Sequence, residues 1–215
     1  MLPATPNIIL GEPFIELTSI DSTNIYAMEL VHKGLALSGS CIRAHFQTQG
    51  KGQHGRNWES SAGLNLLCSY ILELKQLKTG KIWTPADQIG FSAAVALGAR
   101  AFFASFAGAE TKIKKPNDIY WGDRKAGGIL IENVVRGQAW TWSVVGIGIN
   151  IHQMDFSNEA GNPISLKQIT QENFELNILQ KELSQHLIEA LTNWIKMGEV
   201  ATLEKLEAQS VIIKK

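Results

Sequence analysis

The stretch AGGILIENVVRGQAWTWSVVGIGINI, residues 126–151, is two apolar, β-branched runs separated by Arg136-Gly137, a pattern that predicts a β-hairpin. Its prediction decides the fold class, because antiparallel neighbours in a chain that also carries long helical segments imply a mixed sheet with helices packed on it. Working outward, PFIELTSI (13–20) alternates like a strand. DSTN (21–24) follows as a helix start with Asp21, Ser22 or Thr23 available as caps, and the helix runs to Gly34. SCIRAHF (40–46) and GLNLLCSYILEL (63–74) read as strands, with a glycine-rich loop between them. The segment 85–106 opens with Pro and Asp, is rich in Ala, and predicts a long buried helix. Two short strands surround KIKKPNDIYW, and an amphipathic helix from about Phe174 to Met197 is the last clear element. No internal repeat interrupts this order.

Composition sets the class of molecule. The chain has 215 residues and 45% apolar content, enough for one large domain, and its twenty acidic and twenty basic side chains cancel. Nothing in that balance draws the molecule to nucleic acid or an anionic membrane, so any anion it binds is held by local charge. Cys41 and Cys68 lie in strand-like segments without ligand spacing and read as buried thiols of a reducing compartment. The N-terminal letters lack the pattern of a signal peptide, and no stretch reads as the roughly 20 apolar residues of a membrane span. A cytoplasmic enzyme or binding protein is the expectation. The histidines, His32, His45, His54, His152 and His186, show no ligand spacing and read as surface or strand residues, with no metal site.

The loop QTQGKGQHGRNW (47–58) places Gly50, Gly52 and Gly55 at the G-x-G-x-x-G spacing. That spacing binds a pyrophosphate only where it opens a helix, and here Ser, Gly and Asn break the helical register downstream. What remains is a strand-loop-strand excursion with cations at Lys51 and Arg56 and an aromatic wall at Trp58. A solvated loop with turn-making glycines fits the same letters, and the loop alone does not choose. Lys125 enters a strand beside Gly127-Gly128, a setting suited to a ligand that approaches the backbone; a solvated edge lysine fits as well. Gly146 and Gly148 share one strand face, leaving a flat strip for a ring or for a closely packed helix.

Taken together and in order, DSTN, QTQGKGQHGRNW, KKPNDIYWGDRKAGGILIE (114–132) and VVGIGIN (144–150) resemble the biotin protein ligase family, monofunctional type. The resemblance implies the α/β (α+β) catalytic domain shared by biotin and lipoate ligases, a mixed β-sheet packed with helices and similar to class II aminoacyl-tRNA synthetases, over residues 1–200. It implies activation of biotin by Mg-ATP to biotinyl-5′-AMP and transfer to one lysine of a biotin carboxyl carrier domain. By motif, Ser22, Thr23, Asn24 and Gln47 would pair with the ureido ring, and Gly50 and Lys51 would offer N–H groups to the carboxylate. Arg56 would address the phosphate, Trp58 would shield the adenylate, and Lys125 would stabilise charge at the reacting carboxylate. Gly128, Gly146 and Gly148 would form the floor, Asn117 and Asn150 would lie near the nucleotide, and Gln53 and Asp118 are further candidates, Asp118 assisting the acceptor lysine or a Mg²⁺ ion or fixing the turn. No metal ligand set belonging to the protein itself is expected.

The sequence departs from the family pattern at Lys51 and Gln53, where arginines are usual, and at Lys115, which replaces the tryptophan of K-W-P-N-D. Residues 201–215 read as a short tail in which the family's small C-terminal β-barrel is missing or truncated, and no N-terminal helix-turn-helix precedes the strand at 13, which argues against DNA binding. A lipoate or octanoate ligase, and a non-catalytic biotin-binding module, are the alternatives. A homodimer is conceivable through apolar strands such as AWTWSVV (139–145).

Overall fold

The computed structural model describes residues 8–77, 80–157 and 162–212. Seven strands form one mixed sheet: β1 (Phe14–Ile20), β2 (Cys41–Gln47), β3 (Leu66–Glu73), β4 (Thr111–Lys114), β5 (Asp118–Trp121), β6 (Arg124–Arg136) and β7 (Ala139–Ile149). Their spatial order is β1-β2-β3-β7-β6-β5-β4, with β1 and β2 parallel and the other pairs antiparallel. The helix α1 (Thr23–His32) makes the β1–β2 crossover. The predicted hairpin is β6–β7: Arg136 pairs with Ala139 across a two-residue turn, and Gly137, at φ 60°, supplies the left-handed residue that so tight a turn requires.

The two faces of the sheet are covered differently. The main core lies between the sheet and the helices α2 (Gln88–Ala107) and α4 (Leu176–Met197), where Tyr70, Phe91, Phe102, Phe103 and Trp140 are all buried. On the opposite face α1 packs Ala27 and Val31 onto Ile42, Ile71 and Val144. α2 begins as expected near Pro85, in a capping box formed by Thr84 and Asp87. One expectation is corrected here: Pro85–Ala107 is long and apolar enough to cross a membrane, with a mean hydropathy of 1.5. Its most apolar stretch is 61% buried against the sheet and α4, the setting of a core helix.

Two further expectations change. The segment AWTWSVV is not available to a second subunit, because β7 is central and bonded on one side to β3 and on the other to β6. The chain after Met197 continues as helix α5 (Glu199–Ala208), preceded earlier in the chain by the one-turn α3 (Leu166–Thr170). Beyond α5, Ile113 donates to Gln209 O at 2.9 Å and accepts from Val211 N at 2.9 Å, so residues 209–211 line the edge of β4.

Cys41 and Cys68 are free buried thiols, and burial, ahead of the neighbouring Cys41, pushes the Cys68 thiol up. His152 is neither a surface nor a strand residue: it is half-buried and its Nε2 accepts from Phe174 N at 3.0 Å, a bond only the neutral ring makes. Burial, then the charge of Lys167, lowers its pKa below the ordinary 6.5, while Glu175 opposes them. Between that lowered pKa and 6.5 the unfolded chain holds more protons than the folded one, so stability falls as pH drops through this window. The hydrogen bond from Arg43 lowers the Glu16 carboxyl from 4.5, and the stability this contributes is lost only in more acid solution. Urea denaturation across the window around pH 6 is expected to show declining stability in the native chain and a flatter profile in His152→Gln.

Candidate active site

A cleft of about 320 Å³ opens on the α1 face of the sheet, within the size range of small-molecule sites. It is bounded by the start of α1, the end of β2, the loop 51–58, the β4–β5 turn, and the middle of β6 and β7. Its floor follows from strand register. Gly128 pairs directly with Gly148 across β6–β7, and Gly146 pairs with Ser69 across β3–β7. These glycines fall on neighbouring positions of one face, so a side-chain-free patch forms in the middle of a sheet.

That patch is not left bare. The Trp58 indole lies over its outer part: a Cβ at Gly148 would sit 2.5 Å from Trp58 Cε2, and one at Gly128 would sit 3.1 Å from Cζ3. Over Gly146 lies Asn24, whose Oδ1 occupies the space a Cβ would need. The Asn24 amide is fixed on every side: Oδ1 accepts from Ser69 Oγ at 2.6 Å, and Nδ2 donates to Glu132 Oε2 at 2.9 Å and Leu130 O at 3.3 Å. Ser69 Oγ lies 2.7 Å from Thr23 Oγ1, and Gln47 Oε1 accepts from Thr23 N at 2.8 Å and Thr23 Oγ1 at 3.1 Å. The buried polar end of the cleft is therefore one connected network. Ser22 occupies the N-cap of α1, yet its side chain makes no capping bond; it is 1% exposed and lines the cleft instead.

The glycine-rich loop is a small closed ladder. Lys51 bridges Asn57, Gly52 N donates to Arg56 O at 2.7 Å, and Trp58 N donates to Gly50 O at 2.8 Å. At its tip His54 and Gly55 are both left-handed, with φ of 56° and 73°, and only the glycine takes that shape without strain. The indole Nε1–H of Trp58 is buried against the Gly148 floor without an acceptor, which costs about 1–3 kcal/mol.

Lys125, at the start of β6, meets this loop across the cleft. Its Nζ is 2.7 Å from Asp118 Oδ1 and 5.7 Å above the Trp58 ring. Its backbone is held by Asn162 O and Ile164 N at 2.7 and 2.8 Å. Lys51, Arg56, Lys114, Lys115 and Lys125 line the cleft against a single carboxylate, Asp118, among the described residues. A chain of zero net charge thus concentrates positive potential in one concavity.

Of the residues singled out from the sequence, Ser22, Thr23, Asn24, Gln47, Lys51, Gln53, Arg56, Trp58, Asn117, Asp118, Lys125, Gly128, Gly146 and Gly148 all line the cleft. Two expected residues do not. Asn150 is 4% exposed and spends its amide on Lys125 O at 3.3 Å and Ile164 O at 3.2 Å, so it braces the Lys125 strand from behind. Gly50 is buried under the loop, where a Cβ would collide with Trp58 O. Asn117 lines the cleft while also locking the β4–β5 turn, with Nδ2 donating to Ile129 O at 2.8 Å. Sequence reasoning does not single out Ser69 or Glu132; for Ser69 the available signal is a serine inside the apolar run LLCSYIL of β3.

A model of the "Biotin/lipoate A/B protein ligase family" matches residues 16–150. "Bifunctional ligase/repressor BirA" of Escherichia coli (strain K12) is 34% identical over 135 residues, 63% of this chain and 39% of that protein. "Biotin--[acetyl-CoA-carboxylase] ligase" of Paracoccus denitrificans is 35% identical over 136 residues, covering 63% of this chain and 53% of the relative. The chain thus spans between 39% and 53% of the length of these two curated relatives. A solved structure, "Biotin protein ligase from Aquifex aeolicus in complex with biotin and ATP", superposes with a TM-score of 0.75 at 22% identity, over 93% of this chain and 79% of that one, a likeness of fold.

Gly146→Ala tests the floor directly, because the new methyl must displace Asn24 from its hydrogen bonds to Ser69, Leu130 and Glu132. Overpacking of this kind costs about 1–3 kcal/mol, and urea denaturation should show a loss in that range.

Proposed function

This chain belongs to the biotin/lipoate A/B protein ligase family, and on that footing we propose that it is an ATP-dependent ligase that activates biotin to biotinyl-5′-AMP and passes the biotinyl group to a lysine of a biotin carboxyl carrier domain. The observation that carries the reading is the convergence of Lys125, the Trp58-bearing loop and the glycine floor on one cleft.

Adenylation brings a carboxylate against an α-phosphate, two anions that repel until fixed positive charge lies between them. Lys125 is suited to this task, its amine held in place by Asp118 and by a backbone braced through Asn150. Arg56 and Lys51, on the loop, supply charge for the phosphate and carboxylate sides. The polar end formed by Ser22, Thr23, Asn24 and Gln47 carries both donors and acceptors, as a ureido ring requires, whereas an acyl chain such as lipoate offers no hydrogen bonds there. Trp58 and the ladder of the loop would exclude water from the mixed anhydride. Asp118 is the one carboxylate of the cleft among the described residues, and no cluster of three or more His, Cys, Asp or Glu is present among them. That donor set fits a Mg²⁺ ion carried in on ATP phosphates with at most one carboxylate from the protein. Buried free thiols at Cys41 and Cys68 agree with a cytoplasmic location.

Biotin-dependent ATP–pyrophosphate exchange is the test. The native chain should exchange with biotin and not with lipoate. Lys125→Ala should lower exchange by about 10²–10³, as loss of one preorganised donor does, while biotin affinity stays within about tenfold. Tight biotin binding without exchange would make the protein a binding module instead.

A further inference from the structure

Lys115 stands on the β4–β5 turn, where the resembled family carries tryptophan, and its side chain lines the mouth of the cleft. Its amine, however, is paired outside the cleft: Nζ is 2.5 Å from Glu207 Oε2 on α5. The placement of Glu207 is not accidental to the fold. The residues just beyond it, 209–211, are hydrogen-bonded along β4 through Ile113, which fixes the end of α5 beside the turn. Lys114, the neighbouring cation, is turned to Tyr120, 5.1 Å from the ring centroid. Lys115 is thus a long, flexible cation on the rim of a positive cleft, held by one carboxylate.

That hold is weak. The two side chains are 44% and 69% exposed, and pairs so exposed shift an equilibrium by at most about fivefold. A polyphosphate entering the cleft brings several negative charges into a site that already concentrates cations, and it competes for the amine on favourable terms. Resting on the ligase reading above, we propose that Lys115 is a polyphosphate-binding residue of this chain, which exchanges Glu207 for the outer phosphates of ATP or for the pyrophosphate leaving group. Glu207 then acts as a competing anion that tempers nucleotide affinity. A lysine suits this exchange better than the arginine fork, since a point charge on a flexible stem reaches both partners without a fixed geometry.

Calorimetric titration of the full chain with ATP, inorganic pyrophosphate and AMP, with and without biotin, tests the proposal. Lys115→Met should weaken ATP and pyrophosphate by about tenfold, the worth of a charged hydrogen bond, and leave AMP, which lacks the outer phosphates, unchanged. Lys115→Arg should retain most of the affinity. Glu207→Gln should tighten ATP by up to about fivefold in the native background and have no effect in Lys115→Met. High salt should shrink all of these differences. Affinities for ATP that change less than about twofold in Lys115→Met, an equal loss for AMP, or a Glu207→Gln effect that persists without Lys115 would each overturn it. Lys115-dependent ATP binding in a chain with no biotin-dependent exchange would overturn the ligase reading and leave this one standing. Exchange with ATP affinity indifferent to Lys115 would overturn this one alone.

Discussion

Gly128 faces Gly148 across β6–β7, and Gly146 faces Ser69 across β3–β7, so two strands bring their missing side chains to one place. The arrangement depends on strand register, and a slip of one residue would turn the bare positions to the other face and put isoleucines in the cleft. On the correct register the sheet has a recess deep enough for an indole and an amide. Trp58 and Asn24 enter it, and each brings its own element with it: the loop 50–58 on one side and the start of α1 on the other.

Polar contacts then hold what the recess admits. Asn24 is bonded to β3 through Ser69 and to β6 through Leu130 and Glu132, so the start of α1 is tied to the sheet by side-chain hydrogen bonds in place of an ordinary cap. Lys125 sits over Trp58 and against Asp118, its backbone braced by Asn162, Ile164 and the amide of Asn150. A cation so constrained loses little freedom on meeting an anion, and such preorganisation makes fixed charge effective in a recessed site.

The positive cleft resolves a tension in the composition. Twenty charges of each sign predict no long-range attraction for anions, yet five basic residues and one acidic residue line the cleft among the described residues. The compensating carboxylates lie elsewhere, Glu207 on α5 among them. The departures at Lys51 and Gln53 keep both side chains in the cleft wall, and the departure at Lys115 puts at its rim a cation paired with Glu207.

The sequence by itself determined the elements whose signals are local: the β6–β7 hairpin, α1, α2 and α4, and a set of motif residues of which nearly all reached the cleft. Period and turn chemistry are properties of neighbouring residues, so they are legible in one dimension. Only the tertiary structure decided that Asn150 braces Lys125 from behind the cleft, that Gly50 lies beneath the loop, and that Ser69 and Glu132 belong to the polar network. It also decided that the segment after Met197 is a helix that covers an edge of the sheet and presents Glu207 to Lys115. Each of these depends on strand register or on contacts between residues far apart in the chain, and no local pattern of residue types encodes which distant groups will meet.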